Sequence, residues 1–393
     1  MNLKGAFLAI AASGAFLVVA ACGGGVDSDS SQSQPGSTGG SGQLQVGGDG
    51  TGSGTGSNSG AGSSSNNGNG SGNSIGTGIP AQYVAIAMSA SGYGETSGSA
   101  IGDGEQAGAG ESLSTPHGEH HALLWRGSAS SVVDLHPGGF WDRSRVNATS
   151  RGIQVGSAEH DDNAHHALKW AGSASSVVDL DPAGLLRYSE ALDISGDQIV
   201  GYGGAPEHAL MWTSHGLVDL HPNGYSFSGA WGTDGAQQVG NGWSNADHTT
   251  HALLWTGSAS SVVDLHPNQY CFSLAWGVSG GQQVGFGGCN PLERHYGGHA
   301  LLWTGSAQSV VDLHPNGFSD SVAKAVAAGR QVGWGTTADG STHALLWNGT
   351  ADGVVDLHAF LPAGFRNSQA NGIDASGNII GTADGHAILW RRQ

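Results

Sequence analysis

The chain has 393 residues, 70 of them glycine, and sets 31 Asp and Glu against 13 Lys and Arg for a formal net charge of -18. That balance excludes binding to nucleic acid by charge and excludes a polybasic, lipid-binding segment. The same charge favours solubility.

Residues 1–21 read as a signal peptide, with Lys4 as the positive n-region and an otherwise apolar run to Ala21 interrupted at Ser13. The run closes on Val19-Ala20-Ala21-Cys22, which resembles a bacterial lipobox, so Cys22 is the expected lipidated N-terminus. Each acyl methylene buried contributes about 0.8 kcal/mol, which makes several chains a stable anchor. Gly23 in place of Asp after the cysteine resembles the outer-membrane pattern, giving an expected outer-membrane lipoprotein, surface-exposed or periplasmic. Residues 22–79 are almost entirely Gly, Ser, Asn, Thr and Gln and have no means of forming a core. As a flexible tether they would span roughly 40 Å r.m.s..

Residues 80–393 are a repeat. His-Ala-x-x-Trp begins at His121, His166, His208, His251, His299, His343 and His386, at intervals of 45, 42, 43, 48, 44 and 43 residues, and closes on Trp125, Trp170, Trp212, Trp255, Trp303, Trp347 and Trp390. A unit of this length is unable to bury its own apolar face and must stack on its neighbours. Within one unit the signals run in order: residues 226–233, the hairpin signal Asp234-Gly235, Gln237-Gln238-Val239-Gly240, a variable stretch, His251 to Trp255, the turn Gly257-Ser258, then Val262-Val263-Asp264-Leu265-His266. Gly and Ser punctuation every ten or so residues argues against helical repeats. Four short strands per unit, seven units, predict an all-β, seven-bladed β-propeller.

The termini supply the closure. The chain ends just after His386 to Trp390, so the last unit lacks its fourth strand, while Val84-Ala85-Ile86-Ala87-Met88 matches that strand at the other end. The spacing confirms the alignment, because Tyr93 to Gln106, Tyr225 to Gln238, Tyr270 to Gln283 and Phe318 to Gln331 all span 13 residues. An N-terminal strand is therefore expected to complete the last blade and leave the ring without an exposed edge. One domain, 80–393, is expected.

The motif Gly-x-Gln-x-Val-Gly, then His-Ala-x-x-Trp, then Val-Asp-Leu, resembles the HAF family of extracellular repeats of bacterial proteins, over about residues 83–393. Here the third position carries Leu or Ile, as in His121-Ala122-Leu123, and the fourth strand runs into Asp-Leu-His-Pro. The resemblance implies an extracellular repeat protein and brings no catalytic residue with it.

Histidines at each repeat, and His136, His221, His266, His314 and His358 beside Asp134, Asp219, Asp264, Asp312 and Asp356, invite a metal reading. Copies of one position stand around a ring, whereas a metal needs its ligands within about 2 to 2.5 Å of one point. The histidines are therefore expected to cap a turn or to hydrogen-bond within their blades, with no metal and no cofactor, and the repeat tryptophans to form interblade core. Non-repeating Trp141, Trp243 and Trp334 are the alternative, sugar-stacking set. Cys271 and Cys289 are an even pair after Cys22 is acylated, and folding about Ser279-Gly280-Gly281 sets them opposite each other, which predicts a disulfide.

Only one loop varies much: from the second-strand Gly to the repeat His it runs 13, 10, 7, 11, 14, 10 and 5 residues. It collects acids, histidines and an aromatic: Glu159, His160, Asp161 and Asp162; Asp247 and His248; Glu293, Arg294, His295 and Tyr296. Function on rigid scaffolds concentrates on such loops. The expected function is a lipid-anchored binding module, monomeric, engaging an extracellular glycan or protein through this face. The competing class is a hydrolase or lyase of extracellular polysaccharide, with Glu159, Asp161, Asp162 and Glu207 as candidate carboxylates. Gly-x-Ser-x-Gly is spelled only at Gly72 to Gly76 in the tether and at Gly277 to Gly281 in a hairpin turn, neither of them a strand-to-helix nucleophile elbow, and His-Glu-x-x-His does not occur. A third class, divalent-cation binding at His160, Asp161, Asp162 and His165, lacks a spacing signature.

Overall fold

In the computed structural model the described residues are 83–115, 118–139, 141–160, 165–181, 186, 188–289 and 298–393, with the side chain of His160 excluded. The expected signal peptide, Cys22, the tether, Asp161, Asp162 and residues 293–296 lie outside them. The described residues form seven four-stranded antiparallel sheets. Blade 1 is Tyr93–Gly102, Glu105–Ser112, His120–Trp125 and Val133–Asp134, and blades 2 to 6 repeat it. The first strands of neighbouring blades touch all round the ring, so they are the inner strands and the short Val-Asp strands the outer ones. The chain is a seven-bladed β-propeller.

Alternation along one strand explains how blades adhere. In Thr250–Trp255, Leu253 and Trp255 pack with Val200, Met211 and Leu220 of the preceding blade. Ala252 and Leu254 turn the other way, onto Ala275, Val278 and Trp303 of the following one. Every repeat tryptophan is buried in this manner against the blade before it, and each fully buried aromatic side chain contributes about 2 to 3 kcal/mol. The recurring glutamine has a different task. Gln106, Gln154, Gln238, Gln283 and Gln331 accept, through Oε1, the amide of the glycine that turns the chain after the tryptophan, at 2.7 to 2.9 Å.

Closure follows the expected register. Tyr83–Ala87 pairs antiparallel with His386–Arg392, setting Ala85 opposite Trp390 and Ala87 opposite Ile388. Cys271 and Cys289 are joined by a disulfide, their Cα atoms 4.7 Å apart, one position beyond the Phe272 to Gly288 pair.

Each inner strand carries a β-bulge that the sequence does not announce. Ladder pairing skips Ser99, Asn147, Leu192, Trp231, Trp276, Lys324 and Asn371. The bulge presses the inner-strand carbonyl against the second strand. A Cβ on Gly285 would lie 1.9 Å from the Leu274 oxygen, and one on Gly201 1.8 Å from the Glu190 oxygen. That contact is why every Val-Gly step, and its Ala-Gly and Ile-Gly counterparts, ends in glycine.

Candidate functional site

The repeated polar residues form a frame. Nδ1 of His121, His166, His208, His251, His299 and His343 lies 2.6 to 2.8 Å from the outer-strand carboxylate of its own blade. Burial raises the Asp134 carboxyl, but hydrogen bonds from His121, the His136 amide and the Tyr93 hydroxyl outweigh it and hold Asp134 below the usual carboxylate range. The histidine two residues after the aspartate stacks on the first, as His251 on His266 at 4.2 Å. It does not stay within its blade as the sequence reading supposed. His136, His221, His266, His314 and His358 each meet a serine of the next inner strand, at 2.8 to 2.9 Å. Those serines also accept an amide from the preceding blade, as Ala252 N–H to Ser273 Oγ at 3.0 Å. Blade 2 has Asp181 in place of the second histidine, and blade 7 has Ser89, which meets His386 Nδ1 at 2.9 Å. These groups are committed to holding blades together.

Loop residues within the described set are partnered locally. Asp247 Oδ2 accepts from His251 Nε2 at 2.9 Å. Burial raises the Asp247 carboxyl, but hydrogen bonds from Ser244 and His251, with the charge of His251, together outweigh it and bring it down to about 2. His248 occupies the left-handed region at φ 59°. Glu159 lies 3.3 Å from His165 Nε2, and that hydrogen bond lowers its carboxyl. Glu207 is pushed up by burial and by the charge of Glu190. The non-repeating tryptophans are not brought together as one platform: Trp141 contacts His166, Trp243 stacks on Phe227, and Trp334 is buried beside Trp276.

The sharper concentration of unlike residues is axial. The bulged residues are partly exposed although most of their strand neighbours are buried. With another blade on either side, that exposure faces the axis. Unlike the frame, these positions differ from blade to blade, as does the residue two places earlier (Ser97, Arg145, Glu190, Gly229, Leu274, Val322, Gln369). So does the residue after each second-strand glycine: Ala109, Ser157, Tyr202, Asn241, Phe286, Trp334 and Thr382.

Between blades 2 and 3 they build a polar cluster. Glu190, 2 % exposed, accepts Arg145 Nε at 3.1 Å, Arg145 Nη2 at 2.9 Å and Asn147 Nδ2 at 2.9 Å on Oε1, and the Tyr202 hydroxyl at 3.0 Å on Oε2. Burial would raise Glu190, but Arg145 foremost, then His165, Asn147 and Tyr202, keep it ionised, and Glu190 in turn raises Arg145. Tyr188 is pushed up to about 12, by burial and then by Glu190. Its ring stacks on His165 at 4.8 Å, where the loop face meets the axis. Aromatic contacts continue around the ring, Tyr188 to Tyr202 at 5.8 Å and Tyr202 to Trp231 at 5.9 Å. Farther on, Trp276 meets Phe286 at 5.0 Å and Trp334 at 5.9 Å, and Lys324 Nζ stands 4.0 Å over the Trp276 ring. Burial lowers Lys324 to about 8. Phenols held neutral and a carboxylate already saturated with donors suit recognition better than proton transfer.

Comparison with known proteins shows the fold alone. No protein-family model and no curated protein matches the chain. Among solved structures it is similar to the β-propeller domain of the trilobed protease from Pyrococcus furiosus, at TM-score 0.52 and 8 % identity, over 77 % of this chain and 96 % of that domain. It is also similar to the Pyrococcus horikoshii acylaminoacyl peptidase, at TM-score 0.50 and 13 % identity, over 77 % of this chain and 52 % of the peptidase. A puromycin-hydrolyzing peptidase from Mycobacterium tuberculosis matches at TM-score 0.51 and 13 % identity, over 78 % and 57 %. The chain thus spans about half the length of the peptidases it matches.

Proposed function

We propose that the protein is a binding module, a HAF-type extracellular repeat protein tethered through lipidated Cys22 to the bacterial outer membrane, which receives a glycan at the loop-face mouth of its axis. One observation carries the reading. A frame that repeats its His, Asp, Ser, Gln, Gly and Trp from blade to blade loses its repetition at the axis, where aromatic rings and an arginine paired with a buried carboxylate collect. Rings with hydrogen-bonding groups between them suit pyranose faces and their hydroxyls. The loop expectation meets this site at one point, since Glu159 holds His165 and His165 stacks on Tyr188. Hydrolysis would draw its support from peptidase matches, and these match over the propeller.

A glycan array probed with the full chain carrying Cys22→Ser tests the reading. Binding that is lost in Tyr202→Ala and in Trp276→Ala, and kept in Trp243→Ala, supports it. Binding untouched by both axial variants would move the site elsewhere. Labelling of the wild type, but not of Cys22→Ser, by a fatty-acid probe tests the anchor.

A further inference from the structure

Cations are scarce in this protein, 13 Lys and Arg on a chain of net charge -18. Two of them stand at axial positions: Arg145 on the inner strand of blade 2 and Lys324 at the bulge of blade 6. Against a negative background an anion is drawn to such places, to Lys324 through its charge and to Arg145 through its N–H donors, since Glu190 balances the charge of the guanidinium. Both cations are held in place. Glu190 takes two of the five guanidinium N–H donors of Arg145, and the arginine side chain remains 31 % exposed. The planar fork is therefore fixed by a buried carboxylate while its other edge stays available. Lys324 is set by the ring of Trp276. Glu190 accepts four hydrogen bonds and has little capacity left for a metal or an amine. The rings beside both cations give flat apolar faces, and Ser99, Asn147 and Asn371 add hydroxyl and amide groups to the same circuit.

We propose that the axial site takes a uronate oligosaccharide, with Arg145 and Lys324 receiving sugar carboxylates while Tyr202, Trp231 and Trp276 stack on pyranose faces. This rests on the glycan-binding reading above and names the class of sugar. The Arg145 to Glu190 pair then serves as a positioning device, since a bidentate carboxylate contact needs the guanidinium plane held still.

Calorimetric titration of the full Cys22→Ser chain with hexamers of galacturonate, mannuronate and glucuronate tests it, each beside the same oligomer after carboxyl reduction to the neutral sugar. At least one uronate is expected to bind, with its reduced counterpart about tenfold weaker or worse, and to weaken as salt rises. Lys324→Met and Arg145→Lys are each expected to lose about tenfold for the acid form while leaving the neutral form unchanged. Arg145→Lys keeps a cation beside Glu190, and an unchanged melting temperature in either variant separates lost recognition from lost folding. Equal affinity for acid and neutral oligomers would overturn the uronate assignment and leave glycan binding standing. Binding of no uronate, or uronate binding indifferent to both variants, would overturn the proposal, and the array then decides separately whether any glycan binds.

Discussion

At the scale of the residue, the interblade serines are the joints most exposed to test. Ser273 is fully buried and takes both the Ala252 amide and His266. Ser273→Ala leaves that amide without its acceptor, at a cost of roughly 1 to 3 kcal/mol, and urea titration should show a midpoint lower in proportion. The stacked histidines add a pH dependence. Burial, and then the neighbouring His251, lowers His266, and His136, His221, His314 and His358 are lowered by burial and by their own stacked partners. A histidine whose folded value lies below its unfolded value of about 6.5 contributes stability that is complete above that pH. The contribution is lost as pH falls through about 6.5 toward the folded value. Melting temperature should therefore drop between pH 7.5 and 5, less steeply in His266→Gln. A flat profile would show that these rings titrate as they do in the unfolded chain.

At the scale of the element, the bulge and its glycine act as one unit. Gly285→Ala drives a Cβ into the Leu274 carbonyl, which is backbone and unable to move aside cheaply. A loss of roughly 3 kcal/mol or more is expected, read by thermal melting against Gly281→Ala, whose Cβ would meet open space although its φ of 79° carries its own strain. The four strands, their order and the Cys271 to Cys289 register were legible because hairpin signals and a fixed 13-residue spacing recur. The bulges were not, since a step such as Ala323-Lys324-Ala325 carries no turn residue and two residues facing one is a backbone event. Nor were the targets of the second histidines. His266 reaches seven residues on and His358 ten, so no constant spacing marks the serine.

At the scale of the molecule, seven four-stranded blades and their closure were readable from counting alone, and the axial site was not. Repeats draw attention to what recurs in every blade, and Arg145, Glu190, Tyr202, Trp231, Trp276 and Lys324 stand at positions where no residue is kept around the ring. The usable signal was variation inside a strand otherwise held constant, as in the residue after each Val-Gly. Closure itself predicts an outcome. Deleting residues 83–88 removes the partner of His386–Arg392 and the Met88 side chain packed near Trp125. The truncated protein should lose cooperative unfolding or pair through the bared edge, seen as dimer by light scattering. A peptide of residues 80–90 added in trans should restore the monomer. A truncated chain that melts like the wild type would show that the ring closes without its clasp.

The unpaired bulge residue also separates what the fold requires from what evolution is free to change. A side chain there owes nothing to the hydrogen-bond ladder, and the glycine opposite it already absorbs the backbone distortion. Seven such places, one per blade, amount to a circular palette open to exchange at modest cost to the frame, the cost being highest at Asn147 and Asn371, whose amides donate to the Ala191 and Gly98 carbonyls of the next blade. A mutational library confined to Ser99, Asn147, Leu192, Trp231, Trp276, Lys324 and Asn371 should thus keep most of its members folded and vary in what they hold.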